Sequence, residues 1–77
     1  MTQEERTLTI LRKIARKDIT PDPDESLFDA GYLDSFALPD MVGALEKEFG
    51  IEIPDSDLNP RKFATLNKIS EYLNSRL

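Results

Sequence analysis

Three stretches of this chain repeat apolar residues at steps of three and four, and each runs out near a proline, a glycine or the chain end. Leu8, Leu11, Ile14 and Ala15, with Ile10 widening the stripe, form the first. Met41, Val42, Leu45 and Phe49 form the second, and Leu66, Ile69, Leu73 and Leu77, with Tyr72 alongside, the third. That spacing places each set on one face of an α-helix. The 77 residues include no cysteine and no histidine, so disulfides and thiolate or imidazole metal sites are closed to the chain. The stripes must therefore bury one another. The expected fold is all-α, a small bundle of three main helices plus one short helix with a long first loop, built as one domain over 1–77.

Punctuation residues mark the element ends. Thr2 suits the N-cap of a helix over about 3–16, with Glu5 at the capping-box position and Arg12, Lys13, Arg16 and Lys17 toward the negative end of its dipole. Pro21 and Pro23 exclude a regular helix between 18 and 33. A loop of that length is either functional or pinned by its own apolar residues, here Ile19, Leu27, Phe28 and Leu33. Gly31 is placed to take positive φ, and Gly50 to cap the second helix. Pro39 leaves two options. Either it distorts a first turn beginning at Ser35, or regular helix begins at Pro39 itself, with Leu38 biased away from α geometry. Gly43 costs about 1 kcal/mol relative to alanine in a helix interior. It gives room or mobility beside Ser35, or it permits close packing against another helix. Ile51 to Pro54 reads as extended, and Asp55 or Ser56 caps a brief turn through Leu58 that Pro60 ends. Thr65 caps the last helix, and Phe63 wedges into the core.

Net charge is −5 but unevenly spread: +3 over 1–17, −11 over 18–57 and +3 over 58–77. The acidic middle repels nucleic acid and attracts basic protein surfaces, or is simply a solvated face. No apolar run approaches the roughly 20 residues of a membrane span, and the N-terminus lacks a secretory h-region. A cytoplasmic monomer is expected. Without histidine or cysteine a Ser-His-Asp triad is impossible, so neither an enzyme nor any catalytic residue is expected. Asp22, Asp24, Glu25 and Asp29 superficially suggest calcium, but their spacing does not match an EF-hand loop, and no metal site is expected.

One motif adds to this. Asp34-Ser35-Phe36 is weak evidence alone, but it sits in SLFDAGYLDS, is followed at the right distance by ALEKEFGIEIP, and a last helix is preceded by FATL. Over nearly its whole length the chain resembles the acyl carrier protein family, including its peptidyl and D-alanyl relatives. The resemblance implies that a phosphopantetheinyl transferase attaches 4′-phosphopantetheine from coenzyme A to Ser35, where the residue type alone would suggest a plain N-cap. It implies that Asp34 helps recruit the transferase and its Mg²⁺; Asp34 too has an N-capping alternative. The arm's thiol then presents an acyl or aminoacyl thioester, loaded by a ligase, to downstream acyl-processing enzymes. Fatty acyl, lipid, polyketide and nonribosomal-peptide cargoes all stay open.

In that family the second helix docks basic partners. Asp34, Asp40, Glu46 and Glu48 are the matching acids here, and exposed Phe36 and Leu38 add short-range contacts, with Met41 turned inward. Such rim charges raise on-rates and set specificity more than affinity. The chain departs from fatty-acid carriers in Ala37, Leu38 and Pro39 at the start of this helix and in Lys47 among its later acids. DLNPRKF is closer to D-alanyl and peptidyl carriers, so a stand-alone specialised carrier is expected. The alternative is an unmodified acidic helical interaction module.

Overall fold

A computed structural model of the chain describes residues 2–77, which contain helices, turns and loops but no strand. The α-helices are α1 (Gln3–Ala15), α2 (Leu38–Phe49) and α3 (Leu66–Arg76). Three 3-10 turns accompany them. Ser35–Ala37 runs straight into α2, while Asp55–Asp57 and Pro60–Phe63 fill the connection to α3. Pro60 thus opens a second short turn instead of merely ending the first, because its fixed φ suits a first helical position. Thr2 and Thr65 cap α1 and α3 as expected, accepting from the N–H of Glu5 (3.1 Å) and Lys68 (3.0 Å).

The three stripes do bury one another, with two adjustments. On α1 the buried face is Thr7, Ile10 and Leu11, with Ile14 half-buried, and Leu8 sits at its margin. Buried Thr7 is tolerated because its hydroxyl donates to the Gln3 carbonyl one turn back (2.9 Å). Leu77, expected on the α3 stripe, lies beyond the last helical residue and is 64% exposed. Leu11, Leu27, Met41, Leu45, Phe63, Ile69 and Leu73 are sealed from solvent and form the core. Helices α1 and α2 run antiparallel. Arg6 near the start of α1 reaches Glu48 near the end of α2 with two 2.7 Å bonds, to its carboxylate and its carbonyl, and lies 4.5 Å over the Phe49 ring.

The long loop is fixed at both ends of its path. Ile19, Leu27 and Leu33 are buried and Phe28 packs against the core, as expected of the pins. Arg12 donates to the Ile19 carbonyl (3.0 Å), Leu27 N–H to the Ala64 carbonyl (2.7 Å) and Asn67 N–H to the Pro23 carbonyl (3.0 Å). Gly31 adopts φ +82°, which turns the chain so that both Tyr32 and Leu33 donate to the Leu27 carbonyl.

Asp57 ties the second connection to α3. Its carboxylate takes Lys62 Nζ at 2.6 Å, the Tyr72 hydroxyl at 2.6 Å and the Arg76 guanidinium at 2.8 Å. These bonds, Lys62 first and then Tyr72, outweigh partial desolvation and lower the Asp57 carboxyl from 3.8 to about 2. A carboxyl depressed on folding stabilises the fold above its unfolded pKa, and that stabilisation is lost as pH falls through the folded value. The melting-temperature gap between wild type and Asp57→Asn is therefore expected to be widest above pH 4 and to close toward pH 2. Calorimetry across that range checks it.

Gly43 is exposed, and a Cβ built there meets no atom within 4 Å. Close helix packing is therefore not what holds a glycine at this position. Gly43→Ala is expected to raise unfolding free energy by about 1 kcal/mol, read by chemical denaturation.

Candidate functional site

The junction of loop and α2 is where the sequence places its candidate residues. Asp34 is extended (φ −101°, ψ 170°) and its Oδ1 accepts the Ala37 N–H at 3.1 Å, so Asp34 is the N-cap. Ser35 is the first residue of the 3-10 turn and is exposed, and no hydrogen bond among the described residues engages its Oγ. The capping reading of Ser35 is thereby replaced. Its neighbour does the capping, and the serine hydroxyl is left facing solvent.

The 3-10 geometry follows from Pro39. A regular α-turn would bring the residue-39 N–H to the Ser35 carbonyl, but proline has none. The carbonyl instead accepts from Leu38, and α-helix proper begins at Leu38. Leu38 itself holds α-helical angles (φ −57°, ψ −48°), so the expected bias of a residue before proline is overridden. Burial explains why. Leu38, Met41, Val42 and Leu45 fall at the steps of one helical stripe, and all four are in the core. The expectation that Leu38 is exposed is therefore corrected: it is 5% exposed and holds the turn down. Met41 is inward as expected.

Phe36, by contrast, stands 87% exposed beside the serine. Asp34 and Asp40 are exposed at the same end of α2. The two later acids have structural partners. Glu46 is half-buried and accepts the Ile53 N–H at 2.9 Å, holding the chain after α2, and Glu48 is held by Arg6. Two of the loop acids are occupied as well. Glu25 accepts from the Asp22 N–H and the Tyr32 hydroxyl, and Asp24 accepts from Asn67. No group of three or more acidic side chains is placed to hold a metal ion among the described residues.

The Arg6 clamp and the Asp57 hub were not legible in the sequence, since their partners lie far along the chain or on another element. The capping role of Asp34 carried a signal, an Asx three residues before the Ala37 N–H. Chemically, the site offers an exposed hydroxyl at the positive end of a helix, in a chain with no histidine or cysteine to activate it. It is suited to accept a group from another enzyme, not to attack a substrate.

Comparison with known proteins agrees. The family described as "Phosphopantetheine attachment site" matches residues 5–73. The chain is 37% identical over 71 residues to the D-alanyl carrier protein of Streptococcus uberis, covering 92% of this chain and 90% of that protein. It is 35% identical to the D-alanyl carrier protein of Lactobacillus acidophilus over 69 residues, 90% and 87% of the two chains. The D-alanyl carrier protein of Streptococcus suis is 36% identical over the same shares. Carriers of this kind are non-catalytic and work with transferase and ligase enzymes. The chain therefore belongs to the phosphopantetheine-binding carrier proteins, which bear covalently attached 4′-phosphopantetheine.

Proposed function

We propose that Ser35 is the residue that bears the arm and that the cargo is an aminoacyl group, D-alanyl in the first instance. The observation that carries the site is the exposed, unengaged Ser35 hydroxyl at the mouth of the helical turn. The site fits a phosphodiester. The Ser35 and Phe36 N–H groups open the turn and have no intrahelical acceptor, and the α2 dipole adds positive potential there. The group's terminal thiol supplies the thioester that holds the cargo. What this chain's own residues do is position it. Asp34 fixes the turn through Ala37, and buried Leu38 anchors it to the core.

Partner docking uses Phe36, Asp34 and Asp40, the exposed groups around the serine. Glu46 and Glu48 contribute to the fold instead, and Leu38 acts from beneath. A phosphopantetheinyl transferase, an aminoacyl-loading ligase and downstream acceptor enzymes would each present a basic rim with an apolar spot for Phe36. The chain works as one monomeric carrier domain in the cytoplasm.

The aminoacyl reading is supported by the names of the relatives and by the short apolar-Pro start of α2. It is tested by incubating the phosphopantetheinylated protein with ATP, Mg²⁺, D-alanine and a D-alanine-activating ligase. The expected result is a mass gain of one alanyl group, removed by hydroxylamine and absent when L-alanine is supplied. Refusal of D-alanine together with loading by a fatty acyl ligase would contradict it.

A further inference from the structure

The serine end does not account for the basic residues of α1. Lys13 lies in the last turn of α1, Arg16 caps that helix in the left-handed conformation and Lys17 follows it; all three are exposed, and no ion pair among the described residues holds them. Across from Lys13, exposed and equally unpaired Lys47 stands on α2 amid acids. Between them runs an open groove of about 410 Å³ lined by Ile10, Lys13, Ile14, Ala44, Lys47 and Glu48. Its floor is apolar. Its one acid, Glu48, is already neutralised by Arg6, so the free charge at its rim is cationic. Gly43 lies one turn from Lys47 on the same face, and the space over it is open.

We infer that the α1–α2 groove is a second docking surface, separate from the serine end, that takes an acidic amphipathic helix of a partner protein. Lying between two antiparallel helices, such a helix would set its apolar stripe on Ile10, Ile14 and Ala44. Its flanking Glu or Asp side chains would reach Lys13 on one side and Lys47 on the other. The bare backbone at Gly43 lets the incoming helix come close to α2. The complementary charge is the argument for this occupant, and the shape selects it over an anionic bilayer. The apolar residues form the floor and do not protrude, and a lipid plane would meet the whole chain's net charge of −5, whereas a helix meets only the local cations.

This surface gives the carrier two faces of opposite charge. A partner holding the basic groove leaves Ser35, Phe36 and Asp40 free for a second enzyme. The test is amide chemical-shift mapping on the isotope-labelled protein with two synthetic amphipathic helices, one of Leu and Glu and one of Leu and Lys. The Leu/Glu helix is expected to shift resonances over 10–17 and 43–47, with binding weakened about tenfold or more by the double variant Lys13→Glu and Lys47→Glu and by added salt. The Leu/Lys helix is expected to shift the region around Asp34 and Asp40 instead. Both lysines are exposed, so an unchanged melting temperature shows that the variant is folded. Shifts outside the groove, or shifts that survive the double variant, would overturn the inference. So would binding to phosphatidylglycerol vesicles through the same residues with no response to the Leu/Glu helix.

Discussion

Phe63→Ala is expected to remove about a quarter or more of the chain's folding stability, the largest loss of any single truncation in the core. Phe63 is wholly buried and is one of the largest side chains in the core. Its ring lies 5.0 Å from that of Tyr72 at 57°, a tilted arrangement that adds to plain burial. Truncating such a residue costs about 3–5 kcal/mol. A domain of this length has only about 4–12 kcal/mol of stability to begin with. The loss also spreads to the site. Phe63 ends the turn just before Ala64, whose carbonyl anchors Leu27 of the long loop, and that loop carries Asp34 and Ser35 to α2. Urea denaturation is expected to show a collapse of the midpoint for Phe63→Ala and a much smaller change for Phe63→Leu, which refills most of the volume. An unchanged midpoint would mean that the core is not organised around this ring.

How much of this could be read from the chain alone depends on the range of the interaction. The three helices, their caps at Thr2, Thr65 and Gly50, the turn at Gly31 and the loop pins all follow from local spacing, and they stand as the sequence implied. The failures are instructive. Leu38 reads as an exposed docking residue because it lies near the serine beside Phe36, yet it belongs to the Met41–Leu45 stripe and is buried. Periodicity carried that information: Leu38 lies three and four residues before Met41 and Val42. Leu77 fits the period of α3 but has no helix left to hold it. Glu46 and Glu48 count as surface acids in any sequence reading. Only the folded chain brings the Ile53 N–H and Arg6 to them. The choice at Ser35 between cap and free hydroxyl also needed three dimensions, because Asp34 and Ser35 are both good caps.

The second large effect is functional and should leave the fold alone. Ser35→Ala is expected to abolish phosphopantetheinylation completely while moving the melting temperature very little. The hydroxyl makes no hydrogen bond among the described residues, the side chain is exposed, and Asp34 keeps the cap. The same substitution at Ser26, Ser56, Ser70 or Ser75 should leave modification intact. Asp34→Ala belongs between these extremes. It removes the cap at a cost of about 1 kcal/mol and loosens the turn that presents the serine, so modification should slow without stopping.

Intact-mass measurement decides the matter most directly. Purified protein is incubated with coenzyme A, Mg²⁺ and a broad-specificity phosphopantetheinyl transferase, beside Ser35→Ala treated identically. The wild type is expected to gain one phosphopantetheinyl group, localised to the peptide containing Ser35, and the variant to gain none. A wild type that stays unmodified, or a variant that is modified all the same, would contradict this expectation.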